Sequence, residues 1–145
     1  MNQQRSRGFT LVEALIALLV LSIGLLGVAG LQLAALRQNN SASQRSQATF
    51  LAYDIIDRMR ANRRNALDVA APAYVVGYGT HTATGTLAER DLTAWKAGLA
   101  AVLPAGDGQI ARDADPNLNR WTISIRWDDS RGEEAALVFV TETQI

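Results

Sequence analysis

The chain contains no cysteine among its 145 residues and only one histidine, His81. The absence of cysteine excludes disulfide frameworks, thiolate metal sites and cysteine nucleophiles. His81 lies in the glycine- and threonine-rich stretch GYGTHTATGT, where no partner for a catalytic triad can be identified, and a loop histidine is usually solvated. We therefore expect a protein without catalytic residues, without a metal and without a cofactor, and no enzymatic activity.

The chain also lacks an excess of charge of either sign, since 14 Lys and Arg balance 14 Asp and Glu. The charges are unevenly distributed along the sequence. Residues 37–64 carry six arginines against two aspartates, whereas residues 65–145 carry six basic and eleven acidic side chains. A nucleic-acid-binding domain presents a basic patch, which the acidic C-terminal region does not have. We therefore expect no nucleic acid among the partners.

Charge is absent altogether from residues 14–36, a run of 23 residues, and the first proline of the chain is Pro72. A helix of that length spans about 34 Å, which is enough to cross a bilayer. Arg5 and Arg7 precede the run. By the positive-inside rule the N-terminus is expected in the cytoplasm, and the residues after the run outside the inner membrane, in the periplasm.

Two common kinds of apolar segment, a cleaved secretory signal and an uncleaved membrane anchor, are compared with this run. A cleaved secretory signal has an apolar core of about 7–15 residues, which is shorter than the run found here. An uncleaved single-pass anchor would explain the length and the arginines. It would not explain Glu13, because a carboxylate in hydrocarbon costs roughly 2.5–3.5 kcal/mol on insertion scales.

The residues that follow the apolar run continue with the pattern of an amphipathic helix. Apolar side chains recur at three- and four-residue steps, namely Ala48, Leu51, Ala52, Ile55, Ile56 and Met59. We predict one helix of about 55 residues, apolar all round in its first half and on one face in its second. The predicted organisation is a leader (1–8), a transmembrane helix (9–36), the amphipathic second half (37–65) and a globular head (66–145).

The head is predicted to contain one short helix and an antiparallel sheet. Residues 66–87 are predicted to form an irregular connection, and a helix is predicted in LAERDLTAWKAGLAAVLP, which stops at Pro104. Strands are predicted at 109–112, in RWTISIRW (120–127) and in AALVFVTET (135–143). We therefore predict an α+β fold in which a small antiparallel sheet packs against the amphipathic half of the long helix.

Several prominent side chains of this region are predicted to be structural. Trp121 and Trp127 share one face of a predicted strand with Ile123 and Ile125, and polar residues lie on the other face. This is the pattern of core residues. The segment DADPNLN lacks the glycine and glutamate of a calcium loop and is predicted to be a turn. Four arginines are predicted to be solvated on the far face of the long helix: Arg58, Arg60, Arg63 and Arg64.

The acid Glu13 is explained if the chain is cleaved at the junction of Gly8 and Phe9. Cleavage between Gly8 and Phe9 on the cytoplasmic side would remove the leader and leave a new α-amine on Phe9. Glu13 then lies one helical turn further on, where an acid suits the helix dipole. Inside an apolar bundle a carboxylate and an ammonium each need a partner. We expect Glu13 of one subunit to bind the Phe9 amine of its neighbour, a contact that does not close on itself and builds a filament.

The stretch GFTLVEALIALLVL resembles the prepilin leader and N-terminal helix of type IV pilins and of the related secretion pseudopilins. The resemblance implies cleavage after Gly8 and N-methylation of Phe9 by a prepilin peptidase. It also implies Glu13-dependent insertion into a growing pilus at the inner membrane, through packing with other major and minor pilins. Residues 24–63 are similar to the minor pilins described as type IV pilus modification protein PilV.

Gly24, Gly27 and Gly30 stand where many major pilins have a helix-breaking proline, and the disulfide common near the C-terminus of such subunits is absent. The missing disulfide is consistent with a low-copy minor subunit. Each glycine weakens a helix by about 1 kcal/mol relative to alanine. Local melting when the helix leaves lipid and ordinary close packing of helices are both open explanations.

Three hypotheses follow from these patterns. The first is a minor pilin, a structural subunit that primes type IV pilus assembly near the tip and passes from the inner membrane to the pilus at the cell surface. The second is a minor pseudopilin of a type II secretion system, which shares the leader chemistry. The third is a single-pass membrane-anchored binding domain or enzyme that never polymerises and keeps its N-terminus at Met1.

Overall fold

The computed structural model describes residues 9–81, 85–130, 132 and 135–145. The helices are α1 (Leu11–Ala61), α2 (Arg63–Ala66) and α3 (Leu87–Val102), and the strands are β1 (Asp107–Arg112), β2 (Arg120–Trp127) and β3 (Leu137–Gln144). A 3-10 turn covers Pro116–Leu118. The chain divides into two compact units, an N-terminal unit that ends at Asn40 and a head unit, Ser41–Ile145.

The single long helix predicted from the sequence is confirmed as α1, which has 51 residues. It ends earlier than predicted, because Asn62 leaves the helical conformation at φ −108° and ψ 35° before the short α2 begins. The Asn62 amide donates to the Tyr74 hydroxyl at 3.2 Å, and its side-chain oxygen accepts from Asn65 at 2.8 Å. These two side-chain hydrogen bonds hold Asn62 in place at the point where α1 ends.

One hydrophobic core unites the helices and the sheet of the head unit. From α1 it takes the predicted stripe, of which the fully buried members are Ala48, Ala52, Ile55, Ile56 and Met59. Trp121 and Trp127 are buried as predicted, and Trp95 of α3 joins them. The Trp95 indole N–H donates to the carbonyl of Leu51 at 2.9 Å, which satisfies a buried polar group and joins α3 to α1.

The sheet is antiparallel with the strand order β1-β2-β3, so the predicted α+β fold is confirmed. Ile123 of β2 lies opposite Ile110 of β1 and Thr141 of β3. The inward-facing residues of β2 are the two tryptophans and two isoleucines that the alternating pattern indicates. Strand β1 begins at Asp107, two residues before the predicted strand, because its first residues pair with the end of β2.

Helix α3 confirms the predicted short helix, and its start is fixed by a capping box. The Thr86 hydroxyl accepts from the Glu89 backbone N–H, while the Glu89 carboxylate accepts from the Thr86 backbone N–H. These reciprocal bonds satisfy two donors that a helix start leaves unpaired. In its described residues, which leave out 82–84, the connection that precedes α3 is irregular as predicted, apart from one bridge in which Val76 pairs with Ile110.

Gly108 of β1 is required by the close packing of α3 on the sheet. A Cβ at this position would overlap the Trp95 ring and would lie 2.8 Å from Leu99 Cδ1. Both neighbours are fully buried, so neither has free space into which it can move. A side chain at residue 108 must therefore separate the helix from the strand.

We predict that Gly108→Ala lowers the free energy of unfolding by roughly 1–3 kcal/mol, because the added methyl group overpacks the core. Denaturant unfolding of the purified chain in detergent measures the change. Gly77→Ala is the matched control, since a Cβ there meets nothing within 4 Å. Equal stability changes in the two variants would contradict the packing argument.

Candidate assembly site

The start of α1 is fixed by Thr10, whose role the sequence analysis did not identify. The Thr10 hydroxyl accepts from the Glu13 backbone N–H, and the Thr10 carbonyl accepts from the Ala14 N–H, both at 3.2 Å. This is the arrangement of an N-cap residue. The Thr-x-x-Glu spacing of residues 10–13 is the sequence signal that could have found it.

Glu13 lies in the first turn of α1, with its side chain exposed. Its position is electrostatically favourable, because the helix N-terminus carries partial positive charge. Among the side chains that the structure describes, none forms an ion pair with Glu13. Phe9, one turn earlier, is also exposed, whereas Gly8 lies outside the described residues.

The surface of α1 between residues 14 and 36 is apolar on almost every side. The large apolar side chains of residues 9–36 are each at least 51% exposed, and they are Phe9, Leu11, Val12, Leu15, Ile16, Leu18, Leu19, Val20, Leu21, Ile23, Leu25, Leu26, Val28, Leu31, Leu33 and Leu36. Soluble monomers rarely expose so large a continuous apolar surface. By length and composition α1 is able to cross a membrane. This surface requires lipid or other apolar helices as its environment.

The few polar or small residues of this segment do not interrupt the helix. The Ser22 hydroxyl donates to the Leu18 carbonyl at 2.7 Å, so it needs no partner from outside the helix. A Cβ at Gly24, Gly27 or Gly30 would meet nothing within 4 Å. The roles predicted for these three glycines stay predictions, as does the role of the Gly8–Phe9 junction.

A polar cluster joins the C-terminal end of α1 to α3 and to the connection within the head unit. Arg58 forms ion pairs with Asp54 at 2.9 Å and with Asp91 of α3 at 3.4 Å. The Tyr74 hydroxyl donates to the other Asp91 oxygen at 2.7 Å. Burial, followed by this hydrogen bond to Asp91, raises the pKa of Tyr74 to about 12. The hydrogen bond that Arg58 donates to the Asp54 carboxylate is the main reason that the pKa of Arg58 is also raised.

The prediction that the four arginines are solvated is wrong for Arg58, which is half-buried and pairs with Asp91 of α3. Arg60, Arg63 and Arg64 are exposed as predicted. Arg60 donates to the Thr143 hydroxyl at 3.2 Å, and Arg63 donates to the Ile145 carbonyl at 3.3 Å. The periodicity of one helix shows which residues share a face, but it does not show what the rest of the chain places opposite them. Arg60 of α1 therefore contacts β3, and Arg63 of α2 contacts the residue that follows β3.

Lys96 and Asp107 form a second anchor, which the sequence analysis missed. The Lys96 ammonium donates to the carbonyls of Gly77 and Gly79, both at 2.7 Å, and to Asp107 at 3.0 Å. Burial acts to raise the pKa of Asp107, but hydrogen bonds from the Gly79 N–H and from Lys96 outweigh it and lower the pKa overall. The sequence offered one indication of this anchor, which is that Lys96 follows Trp95 on the buried side of α3.

Two family profiles match the chain along consecutive segments. The profile described as the prokaryotic N-terminal methylation motif matches residues 3–29, and the profile described as type IV pilin Tt1218 matches residues 30–91. No curated protein and no solved structure matches significantly.

A capped apolar helix with an early acid, followed by an α+β head, defines a pilin-like protein that carries an N-terminal methylation motif. With the second profile match the family can be stated plainly. The chain is a type IV pilin, a structural subunit of pilus assembly. The matches do not separate major from minor subunits.

We predict that Asp107→Asn lowers the free energy of unfolding by roughly 2–4 kcal/mol at neutral pH, because the Lys96 ammonium loses a buried counter-charge. The folded-state pKa of Asp107 lies below its usual 3.8. The carboxylate's contribution is therefore complete above about pH 4 and is lost as the pH falls through the lowered value. Wild type and variant should accordingly converge in acid.

Denaturant unfolding between pH 3 and pH 7 measures this convergence. Asp57→Asn is the control, because Asp57 forms an exposed pair with Arg60 and such pairs contribute little. A wild-type advantage over Asp107→Asn that persists unchanged in acid would contradict the role given to the Asp107 charge.

Proposed function

We propose that this pilin is a minor subunit that primes assembly of a type IV pilus near its tip, and that it has no enzymatic activity. The observation that carries the proposal is the early acid Glu13, which precedes 23 uncharged residues of α1 and has no described ion-pair partner. The resemblance of residues 24–63 to PilV-type minor pilins supports the pilus over a type II secretion system. The profile described as a type IV pilin, which covers much of that stretch, supports the same choice.

The proposed pathway begins at the inner membrane, with the N-terminus in the cytoplasm and the head in the periplasm. A prepilin peptidase cleaves after Gly8 and methylates the new amine of Phe9. The leader leaves and the apolar helix remains in the membrane. The subunit then packs against other major and minor pilins and moves with them into the pilus at the cell surface.

Axial register is the proposed role of Glu13. In an apolar bundle, a carboxylate without a partner is costly, and so is an ammonium. Pairing Glu13 of one subunit with the Phe9 amine of a neighbour removes both costs at one relative position of the two helices. The contact uses different surfaces of the two subunits, so repeated contacts produce a helical filament rather than a closed ring.

The three glycines of the apolar helix have two proposed roles. The open space around each Cβ position leaves room for a neighbouring helix to approach closely. The same residues lower the stability of the helix and would allow local melting when it leaves lipid. Both roles are compatible with a minor subunit that must fit between other pilins.

We predict that the membrane-extracted protein begins at N-methylated Phe9, as measured by intact mass and N-terminal peptide mass. Gly8→Val should retain the leader, because a branched side chain occupies the space that the peptidase needs at the scissile bond. Gly24→Val, outside the junction, is the control and should be processed normally. A wild-type chain that keeps Met1 would support the anchored binding domain instead.

We predict that Glu13→Ala is cleaved normally but that its incorporation into sheared pili falls by more than about a hundredfold, since the neighbouring ammonium is left unpaired in an apolar environment. Quantitative immunoblotting of pilus and membrane fractions measures the ratio. Val12→Ala is the matched control, because it shortens an adjacent exposed side chain without removing charge. Normal incorporation of Glu13→Ala would contradict the register argument.

A further inference from the structure

Strand β3 is an edge strand whose outer side has no partner strand among the described residues. All eight of its residues, Leu137–Gln144, pair with β2 in an uninterrupted register without a bulge. Every second backbone N–H and C=O of an edge strand points away from the sheet and is available for hydrogen bonding.

The opposite edge of the sheet is covered differently. At the centre of β1, Ile110 exchanges two backbone hydrogen bonds with Val76 of the connection, at 2.8 and 3.0 Å. The connection therefore occupies the middle of the β1 edge. The two edges of this sheet are thus unequal, and only β3 offers a long open ladder within the described part of the head.

Strand β3 has few of the features by which proteins usually protect an edge, and its one charged side chain is Glu142. Its sequence, LVFVTETQ, contains no lysine, no proline and no glycine. Val138 and Val140 project from the surface of the sheet and are 57% and 55% exposed. Edge strands that stay unpaired are commonly short, bulged or marked by lysine or proline, because a long apolar edge recruits other strands.

We propose that β3 is a docking edge that accepts an extended segment of a different pilus subunit as a fourth strand of the sheet. This inference rests on the proposed function, because it takes the partner from the subunits beside which this chain is assembled. Backbone hydrogen bonds would supply affinity, and the side chains beside Val138 and Val140 would supply specificity.

A second copy of this chain does not fit the same edge. Antiparallel β3–β3 pairing requires a two-fold axis perpendicular to the sheet, which makes the two α1 helices run in opposite directions. Subunits that leave one membrane share one helix direction, so this pairing is excluded between them. Parallel pairing about an axis along the strands places the two helices on opposite faces of the joined sheet, where they cannot pack together.

Pairing β3 with the β1 edge of another copy is opposed by the connection that already occupies Ile110. A heterologous strand meets none of these obstacles. The side chains that this heterologous strand should carry follow from the exposed face of β3, which presents Val138, Val140 and Glu142. The matching segment carries apolar or β-branched side chains beside the two valines and a lysine or arginine beside Glu142.

Site-specific photocrosslinking in cells that make the pilus tests this inference on the full chain. The photoreactive residue p-benzoylphenylalanine replaces Val138 or Val140, and in the control it replaces Val69, an exposed valine outside the sheet. We expect both β3 positions to crosslink to one extended segment of a different pilus subunit, identified by peptide mass mapping, and Val69 not to crosslink there. Crosslinks only to a second copy, crosslinks to a helix, or none at all would overturn the proposal.

A double lysine variant, Val138→Lys with Val140→Lys, provides a second measurement without a bulky probe. Co-purification of the mapped partner should fall by roughly fivefold or more, whereas Val69→Lys should leave it unchanged. Unchanged co-purification in the double variant would also overturn the proposal. The N-terminal mass of the protein in the same samples distinguishes failure of the docking proposal from failure of the proposed function. A chain that begins at Phe9 but does not crosslink refutes the docking edge alone. A chain that begins at Met1 refutes the proposed function.

Discussion

An apolar helix surface that its own chain leaves uncovered is the constraint on which the rest of this protein depends. From Phe9 to Leu36 every large apolar side chain is more than half exposed, so the N-terminal unit is stable only in lipid or among other helices. A cap at Thr10 and an acid at Glu13 define where that surface begins. Insertion into a membrane and packing against other apolar helices are therefore two ways of covering the same surface.

The head unit, in contrast, buries its apolar side chains in a core of its own, which forms without disulfides. Three buried tryptophans supply much of its apolar area, and a glycine at residue 108 lets α3 approach the sheet closely. Lys96 then fixes the connection by binding two of its carbonyls. The result is a compact head in which one sheet edge is covered by the connection and the other, β3, lies open among the described residues.

Most of the fold could be predicted because its elements have strong local periodicity. The apolar run, the amphipathic stripe and the alternation in RWTISIRW each lead directly to a helix or a strand. The end of α1 could not be placed in this way, because Asn62 stops the helix through contacts with Tyr74, twelve residues away. The assembly site was predictable as a motif, since Gly8, Phe9 and Glu13 are close in sequence, although their roles stay proposals.

By itself, the sequence determined the class of the protein, the α+β order of its elements and the position of the early acid, because each depends on residues within a few turns of one another. Only the tertiary structure decided the partners of Arg58, Arg63 and Lys96, and which edge of the sheet is covered. Those contacts join segments that are 11 to 82 residues apart, and no local pattern specifies which distant groups a folded chain brings together.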